Sequence, residues 1–130
     1  MNEEEIKKRA LETANKLFSK GAKIPRAYLL WREFDEDLAK DFSKFIAAHL
    51  YSRTVLTLPE RQMVACAALV ALRATKEFKI HVNAALNVGC DPRKLTELIF
   101  QVATYAGMPA VNDALEGFKE VLKERGEWPL

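Results

Sequence analysis

Residues 75–109 read TKEFKIHVNAALNVGCDPRKLTELIFQVATYAGMP, and their spacing decides the fold. Phe78, His81, Val82, Ala85 and Leu86 recur at i, i+3, i+4, i+7 and i+8, which is one face of a helix. Lys79, Asn83 and Asn87 recur at every fourth position as a polar stripe. Gly89 is a natural stop, because it takes positive φ without a Cβ clash. Asp91 then offers an N-cap and Pro92 suits the first helical position. The next helix buries Leu95, Leu98, Ile99, Val102, Ala103 and Ala106 and stops at Gly107 and Pro109. Glu97, Gln101 and Tyr105 follow one another at one-turn spacing along it. They suit a solvated face, an oligomer contact or a pocket wall.

The rest of the chain repeats the helical pattern. Glu3 to Lys20 carries a stripe of Ile6, Ala10, Leu11, Ala14, Leu17 and Phe18, with Gly21 as its stop. Residues 23–34 read mostly as a connection, apolar enough at Ile24, Tyr28, Leu29, Leu30 and Trp31 to pack on the body. Asp35 caps a helix to about Tyr51, with Leu38, Phe42, Phe45, Ile46 and His49 expected inward. Ser52 to Leu58 is an extended linker with no strand to pair with. Thr57 and Glu60 have capping-box spacing around Pro59, and open a helix to about Arg73. That helix holds ten consecutive apolar residues, MVACAALVAL, Met63 to Leu72. Such a run predicts burial on almost every side, as a central helix, a subunit interface or both. A last helix spans Ala110 to Glu124, with Val111, Ala114, Leu115, Phe118, Val121 and Leu122 inward. The expected fold is all-α, six helices in one domain over residues 1–130.

Composition narrows the function. The net charge of +2 is too small to argue for a nucleic acid or an anionic membrane as partner. The longest apolar run is too short for a bilayer, and the charged start MNEEEIKKRA does not read as a signal peptide. These features suggest a cytoplasmic protein. Cys66 and Cys90 stand in separate elements, with no CxxC pair and no zinc spacing. Cys66 reads as a packed thiol and Cys90, in a turn, as an accessible one. The two histidines are far apart, so no metal site is expected.

His81 is the first candidate for chemistry. A lone histidine on an apolar face is more often a satisfied core residue than a catalyst. Burial would lower its pKa and a nearby carboxylate would raise it, which can poise it for proton transfer. His49 fits an interaction with a helix end. Arg53 and Arg61 flank the linker, and arginine grips carboxylates bidentately. Each of them alone is more often a surface or interface ion pair, and Arg73 could serve likewise. Glu60 is explained by its cap alone.

Three segments together carry a resemblance. They are Y-S-R-x-x-L (Tyr51 to Leu56), E-F-x-x-H-x-x-A-A-L-x-x-G (Glu77 to Gly89) and E-L-I-x-Q-x-x-x-Y-x-G-x-P (Glu97 to Pro109). Over residues 28–124 the chain resembles the carboxymuconolactone decarboxylase family of the AhpD-like superfamily. The resemblance implies an all-helical homo-oligomer, typically a hexamer built as a trimer of dimers. The peroxidase branch of the superfamily needs a CxxC pair, with a glutamate upstream. Here Ala74 and Glu77 stand at the cysteine positions, and the glutamate position falls near Gln62. Peroxiredoxin-type dithiol chemistry therefore lacks its nucleophile and its resolving thiol.

The decarboxylase branch needs no cysteines and no cofactor. The resemblance implies conversion of 4-carboxymuconolactone to 3-oxoadipate enol-lactone and CO2, a step of aromatic compound catabolism. It implies His81 as acid/base or oxyanion partner, with Glu60 orienting it or an arginine. Arg53 and Arg61 would anchor substrate carboxylates, and Tyr105 would line the pocket. The family often has glycine shortly before the Y-x-R segment, where this chain has Ala48, His49 and Leu50. Two other readings compete. A non-catalytic oligomeric binding or scaffold protein would have His81 packed and no cavity reaching it. A single-thiol redox protein would need an accessible Cys66 or Cys90.

Overall fold

The computed structural model describes residues 1–20 and 27–130. Gly21 and Ile24, to which the sequence reading assigned a stop and a packing role, lie outside the described residues. In order the elements are α1 (Glu3–Leu17), α2 (Ala27–Phe34), α3 (Glu36–Ser43), a π-helical segment (Lys44–Leu50), α4 (Leu58–Ala71), α5 (Thr75–Asn87), α6 (Pro92–Gln101), α7 (Ala103–Ala106) and α8 (Met108–Glu124). The architecture is all-α, with no strand among the described residues. The expected six helices become more because two split. The helix after Asp35 widens into π geometry at Lys44, and the one after Asp91 breaks at Val102.

Helix α5 sits at the centre. It packs against α4, α8 and α1. Phe78, Val82 and Ala85 are fully buried in a core shared with Cys66, Val70, Leu95, Ile99, Val111 and Phe118. Gly117 of α8 brings that helix close to α5: a Cβ there would stand 3.2 Å from Thr75 Cγ2 and 3.3 Å from Lys79 Cγ. Gly89 adopts φ +93° after α5, and the Asp91 side chain accepts from Arg93 N at 2.8 Å to open α6.

The polar stripe on α5 is a buried hydrogen-bond set. Asn87 Nδ2 donates to the carbonyls of Leu17 and Lys20, at 2.8 and 2.6 Å, and so closes the end of α1 onto α5. Asn87 Oδ1 and Asn83 Oδ1 accept from Arg125 Nη1 at 3.0 and 3.2 Å. The Arg125 side chain is only 6% exposed, and its Nε donates to Glu127 at 2.9 Å. Lys79 pairs with Glu120 of α8 at 2.6 Å. Backbone carbonyls, a guanidinium and two amides thus satisfy one another in a largely covered site.

Three expectations are corrected. Residues 27–34 are helix α2, which pairs with α3 through an edge-to-face contact of Trp31 on Phe42 at 5.6 Å. Leu38, Phe42, Phe45 and His49 are exposed, while Ala39 and Ala48 are fully buried. Small residues let the α3–π helix approach its neighbours closely, which leaves its large side chains on the far side. Helix α4 is buried along one stripe only, Gln62, Cys66 and Val70. The opposite stripe of Val64, Ala68 and Leu72 is exposed.

Replacing Asn87 by alanine leaves the Leu17 and Lys20 carbonyls and the Arg125 guanidinium short of partners. The expected loss is about 1–3 kcal/mol of stability, measured by urea denaturation, with Arg125→Met giving a loss of similar size.

Candidate functional site

His81 is half-buried on α5 and lines a cavity of about 790 Å³. The walls come from α1, α2, the π segment and α5. Leu17, Trp31, Ile46, Leu50 and Ile80 make most of them apolar. The wide π turn matters here, because Ile46, Ala47 and Leu50 all face the cavity and Tyr51 follows directly. A cavity that reaches His81 removes the packed-histidine expectation.

The partner of His81 is Gln62, one turn inside the start of α4. His81 Nδ1 and Gln62 Oε1 are 2.8 Å apart. With that oxygen as acceptor, Nδ1 carries the ring proton and Nε2 is the nitrogen left for a ligand. Burial holds the His81 pKa below the ordinary imidazole range, against a weaker upward pull from Glu77 one turn earlier. The ring is therefore neutral at neutral pH. Gln62 is fully buried, and its Nε2 has no partner among the described residues. Beside it stands Tyr51, whose phenol burial pushes above its usual value despite the proximity of Gln62 and the Arg61 charge. Tyr51, Gln62 and His81 form one polar patch on the wall, and Asn83 and Asn87 of α5 add a second.

The residues named from the sequence fall in different places. Glu60 is exposed and engaged in the capping box. Thr57 N donates to Glu60 Oε1 at 2.9 Å, and Glu60 N donates to Thr57 Oγ1 at 3.2 Å. The cap lowers the Glu60 carboxyl pKa. Glu60 lines no cavity with His81; its expected orienting place is taken by Gln62. Tyr105 is 81% exposed on α7 and lies away from the cavity within the chain. A solvated or contact face is what remains of the Glu97, Gln101 and Tyr105 alternatives, since none of the three lines the cavity.

Arg61 is half-buried, and its Nη2 donates to the Arg53 carbonyl at 3.3 Å. Arg53 does not line the His81 cavity. It lines a second one, of about 450 Å³, across Tyr51. Arg73 is paired with Asp113 at 2.6 Å. Both thiols are buried, Cys90 included, against its reading as accessible. Burial pushes Cys66 up to about 12 and raises Cys90 as well, so neither is a ready thiolate. No group of three metal-ligating side chains occurs among the described residues, and no helix of the described residues is long and apolar enough to cross a membrane.

Gln62 and Tyr51 were not named as site residues from the sequence. A signal for Gln62 exists. It occupies the inward stripe with Cys66 and Val70, at i, i+4 and i+8, where an amide needs a partner. Nothing local says that the partner is His81, nineteen residues away.

Residues 36–120 match the model of the carboxymuconolactone decarboxylase family. A 4-carboxymuconolactone decarboxylase of Acinetobacter baylyi is 32% identical over 129 residues, covering 99% of this chain and 96% of that relative.

The depressed His81 pKa has a thermodynamic consequence. Between the folded value and the unfolded value of about 6.5, the unfolded chain binds more protons at this site. Its contribution to stability is full above about pH 6.5 and falls as the pH drops toward the folded value. Urea denaturation at pH 7.5 and 5.5 is expected to show a smaller difference for His81→Gln than for the wild type.

Proposed function

The chain belongs to the carboxymuconolactone decarboxylase family, and from that premise we propose that it is a cofactor-free carboxy-lyase acting on 4-carboxymuconolactone or a related small carboxylated lactone. The observation that carries this reading is a histidine that lines a largely apolar cavity and is held at Nδ1 by a buried amide, which leaves Nε2 for a ligand. The relative from Acinetobacter baylyi is named for the same reaction.

The chemistry asks little beyond what this wall offers. The bond from ring carbon to carboxylate breaks and CO2 leaves. The electron pair moves into the unsaturated lactone toward its carbonyl oxygen. A proton then closes on carbon, and one proton from water restores the donor. In the free protein Nε2 is unprotonated. A substrate with two negative charges favours the imidazolium, so His81 takes up its proton as substrate binds and delivers it to carbon. Gln62 holds the ring in place without a charge of its own, which keeps the imidazolium acidic. The Tyr51 phenol, neutral because it is buried, can donate a hydrogen bond to the oxygen that gains charge.

The test is a decarboxylation assay with 4-carboxymuconolactone. His81→Ala is expected to lower kcat by roughly 10²–10⁴-fold with the fold intact. For the wild type, kcat/KM should fall with rising pH through a pKa below 6.5, since that parameter reports the free protein. Gln62→Glu puts a carboxylate on the ring and should move this limb to higher pH. A kcat/KM that instead rises through that region would make His81 a base and discard the proton-donor role.

We further propose that the chain works as a homo-oligomer, a hexamer or trimer. Support comes from two exposed apolar faces: Val64, Ala68 and Leu72 on α4, and Leu38, Phe42 and Phe45 on the α3–π helix. Surfaces of this kind mark contacts. Light scattering should give three or six times the 14.7 kDa chain mass. Val64→Glu combined with Leu72→Glu should shift the population to smaller species.

A further inference from the structure

Two cavities meet at Tyr51 and Thr13, which line both, and their chemistry is opposite. The larger is apolar. Among the described residues its charged lining side chains are Lys20 and Glu77, one of each sign. The smaller gathers Arg9 and Lys16 of α1 and Arg53 of the segment before α4, against a single carboxylate, Glu12. Arg9 and Lys16 lie two turns apart on one face of α1, so that face is aimed at Arg53. None of these three cations forms an ion pair among the described residues. The other described cations in close pairs, Lys44, Arg73, Lys79 and Arg125, meet their carboxylates within 4 Å. Three unpaired cations around one depression repel each other, and the complement that relieves them is an anion.

We propose that the two cavities are halves of one substrate site, the smaller holding a carboxylate that the substrate keeps and the larger holding the ring and the carboxylate that leaves. This rests on the decarboxylase reading and adds to it which residues receive each of the two carboxylates.

The division has a physical reason. A fixed cation on the departing carboxylate would stabilise the ground state, because charge must leave that group for the ring as CO2 forms; the His81 imidazolium differs, because it gives up its proton to the ring carbon in the same reaction. Apolar surroundings penalise the localised carboxylate more than the spread charge that follows it. The retained carboxylate has the reverse requirement. It does not change during the reaction, so cations can grip it and supply binding energy that holds the ring against His81. The arrangement also redistributes the expected arginine pair. Arg53 keeps its role and is joined by Arg9 and Lys16. Arg61 lines neither cavity and instead holds the Arg53 backbone carbonyl.

Binding separates this idea from turnover. The probes are 3-phenylpropionate, an aromatic ring with one carboxylate arm, and its uncharged primary amide. Trp31 lines the larger cavity and its fluorescence reports occupancy. The full-length wild type is expected to bind the acid about 10-fold more tightly than the amide, as one charge-assisted grip allows. Arg53→Met with Lys16→Met should bring the acid down to the amide's affinity and leave the amide unchanged, with an unaltered thermal melt. His81→Ala should keep the acid preference. Equal wild-type affinities, no saturable binding of the acid, or a preference that survives the double substitution would overturn the proposal. A chain that shows the Arg53- and Lys16-dependent preference but turns over no lactone would retain the divided site and reject the decarboxylase reading.

Discussion

The fold depends on how a polar stripe on a central helix finds its partners within the chain. Asn83 and Asn87 face inward on α5, where an unpaired amide would cost more than most single contacts return. Arg125 approaches from beyond α8 and occupies both amide oxygens, while Asn87 Nδ2 takes the carbonyls of Leu17 and Lys20. One residue therefore joins the amino-terminal helix, the central helix and the carboxyl-terminal segment. The cavity follows from that junction. Its α1 wall stays opposite its α5 wall because Asn87 ties the two together, and the apolar side chains between them are too few to fill the space.

Local devices were legible in the sequence, and long-range ones were not. Gly89, the Asp91–Pro92 opening and the Thr57–Glu60 box were all readable, because each depends on residues within one turn. The inward face of α5 was readable from its period. The Asn83–Asn87 stripe was also visible, but its burial was not, since that needed Arg125 from thirty-eight residues beyond Asn87. Helix α2 was missed because it is only eight residues long and has no buried member. Phe42 and Phe45 misled for a related reason. Hydrophobicity says that a side chain prefers cover, whereas Ala39 and Ala48 show that close helix approach selects small residues for the inside.

The same division runs through the site. His81 stood out from its position alone, but the residue that positions it had to come from another helix. Glu60 drew attention as a charged group beside an arginine, yet the backbone it caps already engages its carboxylate. Gln62, two positions on, points into the core and has no such duty. A shift of two residues on a helix turns a side chain by about half a circle, and that rotation separates a surface cap from a buried partner. Tyr51 owes its place to the π segment before it, a change of helical pitch that no pattern in residues 44–50 announces.

The burial of both thiols has a practical side. Cys66 lies wholly in the core with its pKa near 12, and Cys90 donates its S–H to the Pro59 carbonyl at 3.4 Å. Neither presents a thiolate to a reagent while the chain is folded. A cysteine introduced on an exposed position such as Lys7 would therefore be the one that maleimide dyes find, without first removing the native pair. The wild-type chain is already a background for attaching a single fluorophore or spin label, and slow labelling of the native thiols would serve as a clock for its unfolding.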